Sequence, residues 1–108
     1  MAKEYEIVVT EKASKNLELI VLYVKEEVSL RTADKIRLSL LDAISKLSEH
    51  PESNGILHEI SDKKTIYRRV IKWSYRVIYH IDEEQKLIYV MDVDHVKRNP
   101  NKLKENFI

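Results

Sequence analysis

The main change in the spacing of apolar residues along this chain falls near its single glycine, Gly55, and that change constrains the fold more than any other feature. Before it, apolar residues recur at steps of three and four, as they do along the buried face of an amphipathic helix. After it, they alternate with polar residues, as in a strand with one buried side. The sequence therefore predicts an α+β domain whose helices precede most of its strands.

The first half of the chain is predicted to form one short strand followed by a helical hairpin. Residues 4–10 alternate as a strand, and Thr10 is suited to capping the helix that starts next. A second helix begins at Ser29 or Thr32 and ends before Pro51. Because only a few residues join them, the two helices should pack as an antiparallel pair. The apolar stripes that define them are Ala13, Leu17, Ile20, Val21, Val24 and Val28 in the first, and Ala33, Ile36, Leu40, Ile44 and Leu47 in the second.

The second half is predicted to form an antiparallel meander on which the helical hairpin packs. Asn99 and Pro100 then suit the start of a short C-terminal helix. We find no repeat and no linker, so residues 1–108 are expected to form a single domain. The four predicted strands of the meander cover residues 56–60, 65–72, 75–81 and 87–95.

The composition of the chain argues against several classes of function. The chain has no cysteine, and its four histidines lack the spacing of metal ligands, so no disulfide framework, metal site or cofactor is expected. The absence of a long apolar stretch and of a secretory signal predicts a cytoplasmic protein with no membrane partner. Residues 1–62 carry 8 Lys and Arg against 12 Asp and Glu, whereas residues 63–108 carry 11 against 6. The basic second half would attract an anionic partner, or would simply keep the protein in solution.

Several segments, taken in order and spacing, resemble a known family. Two of them are distinctive: the Tyr-Arg-aliphatic-aliphatic-Tyr block at 75–79, and the Val-x-His-x-x-Arg strand end at 93–98. On these segments the chain resembles the RelE/ParE toxin superfamily of type II toxin–antitoxin, or plasmid stabilisation, systems over nearly its whole length. The resemblance implies a RelE/ParE-like fold and a toxin bound by a cognate antitoxin, such as a ParD-like protein. The matching segments are 13–20, Ala33 with Ile36, 47–51, Tyr67-Arg68, 75–81 and 93–100.

The superfamily places two mechanisms on one scaffold, and the fold alone does not choose between them. The resemblance to ParE-like members implies inhibition of DNA gyrase through protein contact, with no catalytic chemistry of the toxin's own. RelE-like members cleave mRNA on the ribosome and are therefore ribonucleases. A third alternative is a degenerate member that only binds an antitoxin. We favour the ParE-like interpretation, in which the chain is not an enzyme and gyrase is its target.

The residues that the resemblance assigns to RNA cleavage are the reason for this preference. RelE-like toxins carry two lysines before the Tyr-Arg block, an arginine within it, and an arginine and a tyrosine after the last strand. Aligned on Arg76, this chain has Tyr67 and Arg69 at the first pair, and Val96 and Lys102 at the last. Two key positions are lost, so that site does not transfer. The candidates left for a nuclease are Arg69, Arg76, His95 and Arg98.

Two of these candidates also have structural interpretations, which we favour. If residues 82–86 form a five-residue loop, Ile81 pairs with Leu87 and Arg76 falls opposite Asp92, which predicts a cross-strand ion pair. His95 continues an alternation of core-facing residues. It is therefore expected to point to the core and bond to backbone rather than catalyse.

The remaining candidates are partner-binding residues for an antitoxin or a target. Leu38 and Leu41 broaden the apolar surface of the second helix, and we favour burial on two sides over a partner-binding face. Trp73 lies in a turn, where we favour a core cover over contact with a partner. The basic residues have no interleaved aromatic residues, which favours a protein interface over nucleic acid. They are Arg68, Arg69, Lys72, Lys97 and Arg98.

Overall fold

The computed structural model describes residues 5–97, in which a helical hairpin packs on one face of a four-stranded sheet. This is the α+β architecture that the change of periodicity predicts. The elements are β1 (Glu6–Val9), α1 (Glu11–Glu27), α2 (Leu30–Lys46), a short 3-10 helix (Pro51–Ser53), β2 (Tyr67–Lys72), β3 (Tyr75–Asp82) and β4 (Leu87–His95).

Both helices begin at the polar residues that the sequence indicates. The Thr10 hydroxyl accepts a hydrogen bond from the Ala13 N–H at 3.2 Å, and the Ser29 hydroxyl accepts one from the Thr32 N–H at 3.1 Å. Each cap satisfies a backbone donor that has no partner within its helix. The Thr10 hydroxyl also donates to the Val90 carbonyl at 2.9 Å, so the start of α1 is fixed to β4.

The sheet has the order β1-β4-β3-β2, with β4 in its interior. Strands β2, β3 and β4 form the predicted antiparallel meander. Strand β1 pairs with β4 in parallel, which makes the sheet mixed. The parallel pairing is possible because the hairpin, β2 and β3 supply the long connection that two parallel neighbours require.

The core lies between the helical stripes and the inner face of the sheet. Leu40 of α2 and three residues of the central strands, Val77, Tyr79 and Val90, are completely buried there. The residues of the predicted stripes are buried, except that Val28 at the end of the first stripe is exposed and Ile20 within it is half-buried. Nearly all residues of the predicted stripe on each helix therefore pack in the core and hold the hairpin on the sheet.

Residues 56–60 are not a strand, contrary to the prediction. Ile56 makes one isolated bridge to Arg68, and the Leu57 carbonyl then accepts the backbone N–H groups of Ile60 and Ser61 in a turn. Leu57 and Ile60 are three residues apart, so the turn buries both against Ile78 on the outer face of the sheet, away from the helices. The predicted C-terminal helix at Asn99 and Pro100 lies outside the described residues.

The register between β3 and β4 also differs from the prediction, for two reasons. The connecting turn has four residues rather than five, because Asp82 pairs with Leu87. A bulge at Met91 of β4, opposite Ile78 and Tyr79, then shifts the pairing by one more residue. Together the two shifts bring Asp94, instead of Asp92, opposite Arg76. The predicted Arg76–Asp92 pair is therefore wrong.

Tyr79 links the core to the segment that follows α2. Its hydroxyl is buried, donates to the Pro51 carbonyl at 2.6 Å and accepts from Asn54 Nδ2 at 3.0 Å. The arginine of β2, Arg68, holds the same segment through Nη1, which donates to the carbonyls of Glu52 and Asn54 at 3.1 and 2.8 Å.

We predict that Tyr79→Phe lowers the free energy of unfolding by about 1 to 3 kcal/mol, because it leaves buried polar groups of Pro51 and Asn54 without that partner. Urea denaturation followed by circular dichroism would measure the loss. The control is Tyr23→Phe, since the Tyr23 side chain is exposed. Equal stability of the two variants would show that the Tyr79 hydroxyl does not stabilise the fold.

Candidate functional site

Arg76, which a nuclease would need for phosphate binding, is instead held by a carboxylate. Its Nε and Nη2 donate to Asp94 Oδ1 and Oδ2 at 2.9 and 2.8 Å, and the two residues are 7% and 6% exposed. The hydrogen bonds that Arg76 donates to Asp94 raise the pKa of Arg76. Such a two-pronged pair fixes the plane of the guanidinium. The prediction that Arg76 is paired is confirmed, with Asp94 in place of Asp92.

Asp92 serves a different contact. Its side chain is completely buried, Oδ1 accepts a hydrogen bond from Asn16 Nδ2 at 2.6 Å, and Lys12 Nζ lies 3.7 Å from Oδ2. Both neighbours belong to the first two turns of α1. Asp92 therefore docks α1 on β4, while Asp94 fixes β3.

Arg69 lies on the outer face and is half-buried by the segment that precedes β2. Its backbone N–H donates to the Gly55 carbonyl at 3.0 Å, and a side chain at position 55 would collide with its guanidinium group. A larger residue at position 55 would therefore require the Arg69 guanidinium group to move. Beside it, Leu57, Ile60 and Ile78 form a buried apolar cluster.

An aromatic row, which the sequence analysis missed, crosses this face beside the cluster. The His80 ring meets Tyr67 edge-on at 5.7 Å and stacks on Tyr89 at 5.1 Å. Burial lowers the pKa of His80, against an opposing effect from Asp82, and burial raises the pKa of Tyr67. The row could have been found only from the correct register, which places the three rings on adjacent strands.

His95 lies on the helix side of the sheet, away from Arg69 and Arg76. Its ring meets Tyr75 edge-on at 5.6 Å, and its Nδ1 accepts the Lys97 N–H at 3.0 Å. The expected backbone bond is therefore present, but the side chain is exposed rather than buried in the core. It borders an open cleft of about 410 Å³ whose other lining residues are Leu19, Ile20, Tyr23 and Tyr75. The nuclease candidates are thus divided between two faces, and Arg98 lies outside the described residues.

The outer surface of the helical hairpin carries many apolar side chains. Leu38 and Leu41 are 67% and 47% exposed, so the favoured prediction that both are buried is wrong. Leu38 and Leu41 lie outside the buried stripe of α2 and therefore face outward. The buried residues of that helix are Ala33, Ile36, Leu40, Ala43 and Ile44. The exposed apolar residues of the hairpin are Leu19, Leu22, Tyr23, Val28, Leu30, Leu38 and Leu41.

The remaining partner-binding candidates have different surroundings. Arg68 and Arg69 are half-buried against the segment before β2, whereas Lys72 and Lys97 are exposed. Trp73 is 58% exposed, so the favoured prediction of a core cover is wrong. Its φ of 57° lies in the left-handed region, which turns the indole outward from the two-residue turn between β2 and β3.

Three solved structures share this fold at low sequence identity. A chain of the chromosomal ParDE toxin–antitoxin system from P. aeruginosa superposes with a TM-score of 0.69 at 14% identity, covering 87% of this chain and 98% of that chain. The RelBE2 toxin–antitoxin complex from Mycobacterium tuberculosis gives 0.60 at 20% identity, covering 85% and 98%. The archaeal RelE–RelB complex from Pyrococcus horikoshii gives 0.58 at 17%, covering 89% and 99%. The fold is therefore that of the RelE/ParE-like toxins.

Sequence comparison assigns the family within that class. The profile described as ParE toxin of type II toxin-antitoxin system, parDE, matches residues 7–100. The chain belongs to this ParE toxin family. Comparison with curated protein sequences gives no significant match. No helix within residues 5–97 is long and apolar enough to cross a membrane.

We predict that Arg76→Ala and Asp94→Ala each lower the free energy of unfolding by about 3 kcal/mol, because each leaves the other charge buried without its partner. The double variant should recover part of the loss, as measured by urea denaturation in a double-mutant cycle. Asp42 and Lys46 form an exposed pair one helical turn apart, and the same cycle there should give a coupling below about 0.5 kcal/mol. Additive losses at Arg76 and Asp94 would contradict the proposed coupling.

We further predict a pH dependence that arises from His80. Since burial lowers its folded-state pKa, protonation favours the unfolded chain, and stability is lost as pH falls below the ordinary value of about 6.5. The free energy of unfolding should therefore decrease between pH 7 and pH 5 in the wild type, and decrease less in His80→Phe. The control, His58→Phe, changes an exposed histidine and should follow the wild type. A His80→Phe curve parallel to the wild type would contradict this origin.

Proposed function

We propose that this chain is the toxin of a type II toxin–antitoxin pair, that it inhibits DNA gyrase through protein contact, and that it has no catalytic chemistry of its own. The observation that supports this most is the buried Arg76–Asp94 pair. Among the positions aligned with the RelE-like site, Arg76 is the one at which the family arginine is kept. Here it stabilises the sheet instead of facing a phosphate.

The surroundings of Arg76 agree with a non-catalytic toxin. Cleavage through a 2′-hydroxyl needs a base for that proton, an acid for the leaving oxygen and cations for the developing charge. Tyr67 is half-buried with a raised pKa, which makes it a poor base at neutral pH. His95, the alternative base, lies on the other side of the sheet from Arg69 and Arg76. Val96 supplies no charge where an arginine would be required.

An antitoxin is the partner that the exposed hairpin suits. The RelBE2 and archaeal RelE–RelB structures, which share this fold, are complexes of a toxin with its antitoxin. We extend that arrangement to this chain because Leu38 and Leu41 offer apolar area to an amphipathic helix. A disordered antitoxin segment that folds on this surface would bury a large area on a small toxin.

The target is tested by adding purified toxin to gyrase and relaxed plasmid DNA, and separately to translating ribosomes. We expect loss of supercoiling or accumulation of cleaved DNA in the first reaction, and intact mRNA in the second. Codon-specific mRNA cleavage that disappears in His95→Ala or Arg69→Ala would overturn the proposal in favour of a nuclease. If the chain affects neither reaction and is harmless when expressed, the degenerate antitoxin-binding alternative stands.

We predict that Leu41→Glu shortens the lifetime of the complex with the antitoxin encoded beside the toxin, because it places a charge in an apolar contact. The expected increase in dissociation rate is about tenfold or more, measured by surface plasmon resonance. Gln85→Glu adds the same charge at an exposed turn and serves as the control. Equal lifetimes for both variants would exclude the outer face of α2 from the complex.

A further inference from the structure

One end of the sheet brings together the turn between β2 and β3 and the residues that follow β4. The Val96 N–H donates to the Ser74 carbonyl at 2.9 Å, and Tyr75 pairs with His95. We call the resulting surface the Trp73 end. Its members are Ile71, Lys72, Trp73, Val96 and Lys97, and all five are exposed.

The backbone conformation of Trp73 is unfavourable, and among residues 5–97 its indole is mostly exposed rather than packed. A bulky residue with a φ of 57° is a backbone outlier, which strains the turn. Glycine and asparagine are the residues that two-residue hairpin turns favour for this conformation. The indole offsets little of this strain by burial, since 58% of the residue is exposed.

Lys86 is the other residue with positive φ among those described, at 56°, and its side chain differs. Its ammonium group lies 3.3 Å from Glu83 Oε2 and 5.1 Å from the centre of the Tyr5 ring. The Lys86 side chain therefore contacts other residues of the same chain. Trp73 presents most of its indole to solvent instead.

The chemistry of the Trp73 end is that of a protein-binding hot spot. Tryptophan is the residue most enriched at such positions, and Ile71 and Val96 provide apolar surroundings. Lys72 and Lys97 add two positive charges, and neither 71–74 nor 95–97 contains a carboxylate. A single indole without further aromatic residues does not provide the row of stacking platforms found in single-strand binders. The complementary surface is an acidic protein surface with a recess for the indole.

We propose that the Trp73 end is the surface with which the toxin contacts its protein target, and that the antitoxin-binding hairpin is a separate surface. This inference rests on the proposed function, because gyrase is the target in the test. It assigns the exposed leucines of α2 to the antitoxin and the Trp73 indole to the target. Neutralisation then acts on the target contact without covering the Trp73 end.

The variant that tests this is Trp73→Gly, because it removes the indole and also relieves the left-handed backbone. We expect its free energy of unfolding to be no lower than that of the wild type and its lifetime with the antitoxin to be unchanged. The concentration needed to inhibit gyrase should rise at least about tenfold. Lys86→Gly is the matched control, since it makes the same replacement at the other left-handed position and should inhibit like the wild type.

Trp73 is the single tryptophan of the chain, so the contact can also be observed directly in the wild-type sequence. Toxin labelled with 5-fluorotryptophan should give one fluorine resonance. We expect that resonance to shift or broaden when gyrase is added and to stay unchanged when a duplex DNA oligonucleotide is added alone. A comparable change with the oligonucleotide would overturn the assignment to a protein partner.

The outcomes separate this inference from the function on which it rests. If wild-type toxin does not inhibit gyrase, the proposed function fails. If it inhibits gyrase and Trp73→Gly inhibits equally well, the function stands and the Trp73 end is not the target surface. Loss of antitoxin binding in Trp73→Gly would show that the two surfaces are not separate and would equally overturn the inference.

Discussion

The bulge in β4 is the constraint on which most of this structure depends. By adding one residue opposite Ile78 and Tyr79, it directs Asp92 to α1 and Asp94 to Arg76 of β3. One interior strand thereby holds the helical hairpin through one buried carboxylate and its neighbouring strand through another. Each carboxylate is stable in the interior because hydrogen-bond donors surround it. The same bulge commits Arg76, the arginine that a nuclease would use, to a buried ion pair with Asp94.

The sequence predicted those parts of the fold that depend on local periodicity. The helical stripes and their caps could be recognised because each repeats within a few residues of itself. The register between β3 and β4 could not be predicted. It depends on the length of the turn after Asp82 and on a bulge that leaves no pattern in the sequence. The prediction of a strand at residues 56–60 was wrong for a related reason. Its alternation suggested a strand, whereas the three-residue separation of Leu57 and Ile60 allowed both to be buried in a turn.

The candidate surfaces were harder to predict than the elements that carry them. A sequence shows that Leu38, Leu41 and Trp73 are apolar, but whether they are buried depends on which elements reach them in space. Within residues 5–97 the helices pack against the sheet on one side, and the core is completed by the stripe residues. Charged residues posed the opposite difficulty, because Arg68 and Arg69 are used to hold the segment before β2. The family, in contrast, could be recognised from the order of several short segments.

The position of β4 in the sheet has a consequence for how the toxin is made. It is the last of the described strands to be synthesised, yet it lies between β1 and β3 and holds the start of α1 through Val90. A nascent chain that has not reached Leu87 has no neighbour for β1 and no carboxylates for Asn16 and Arg76. Contacts that join residues about 80 positions apart form slowly, because closing so long a loop costs entropy first. The complete sheet therefore forms only after β4 has been made, late in translation.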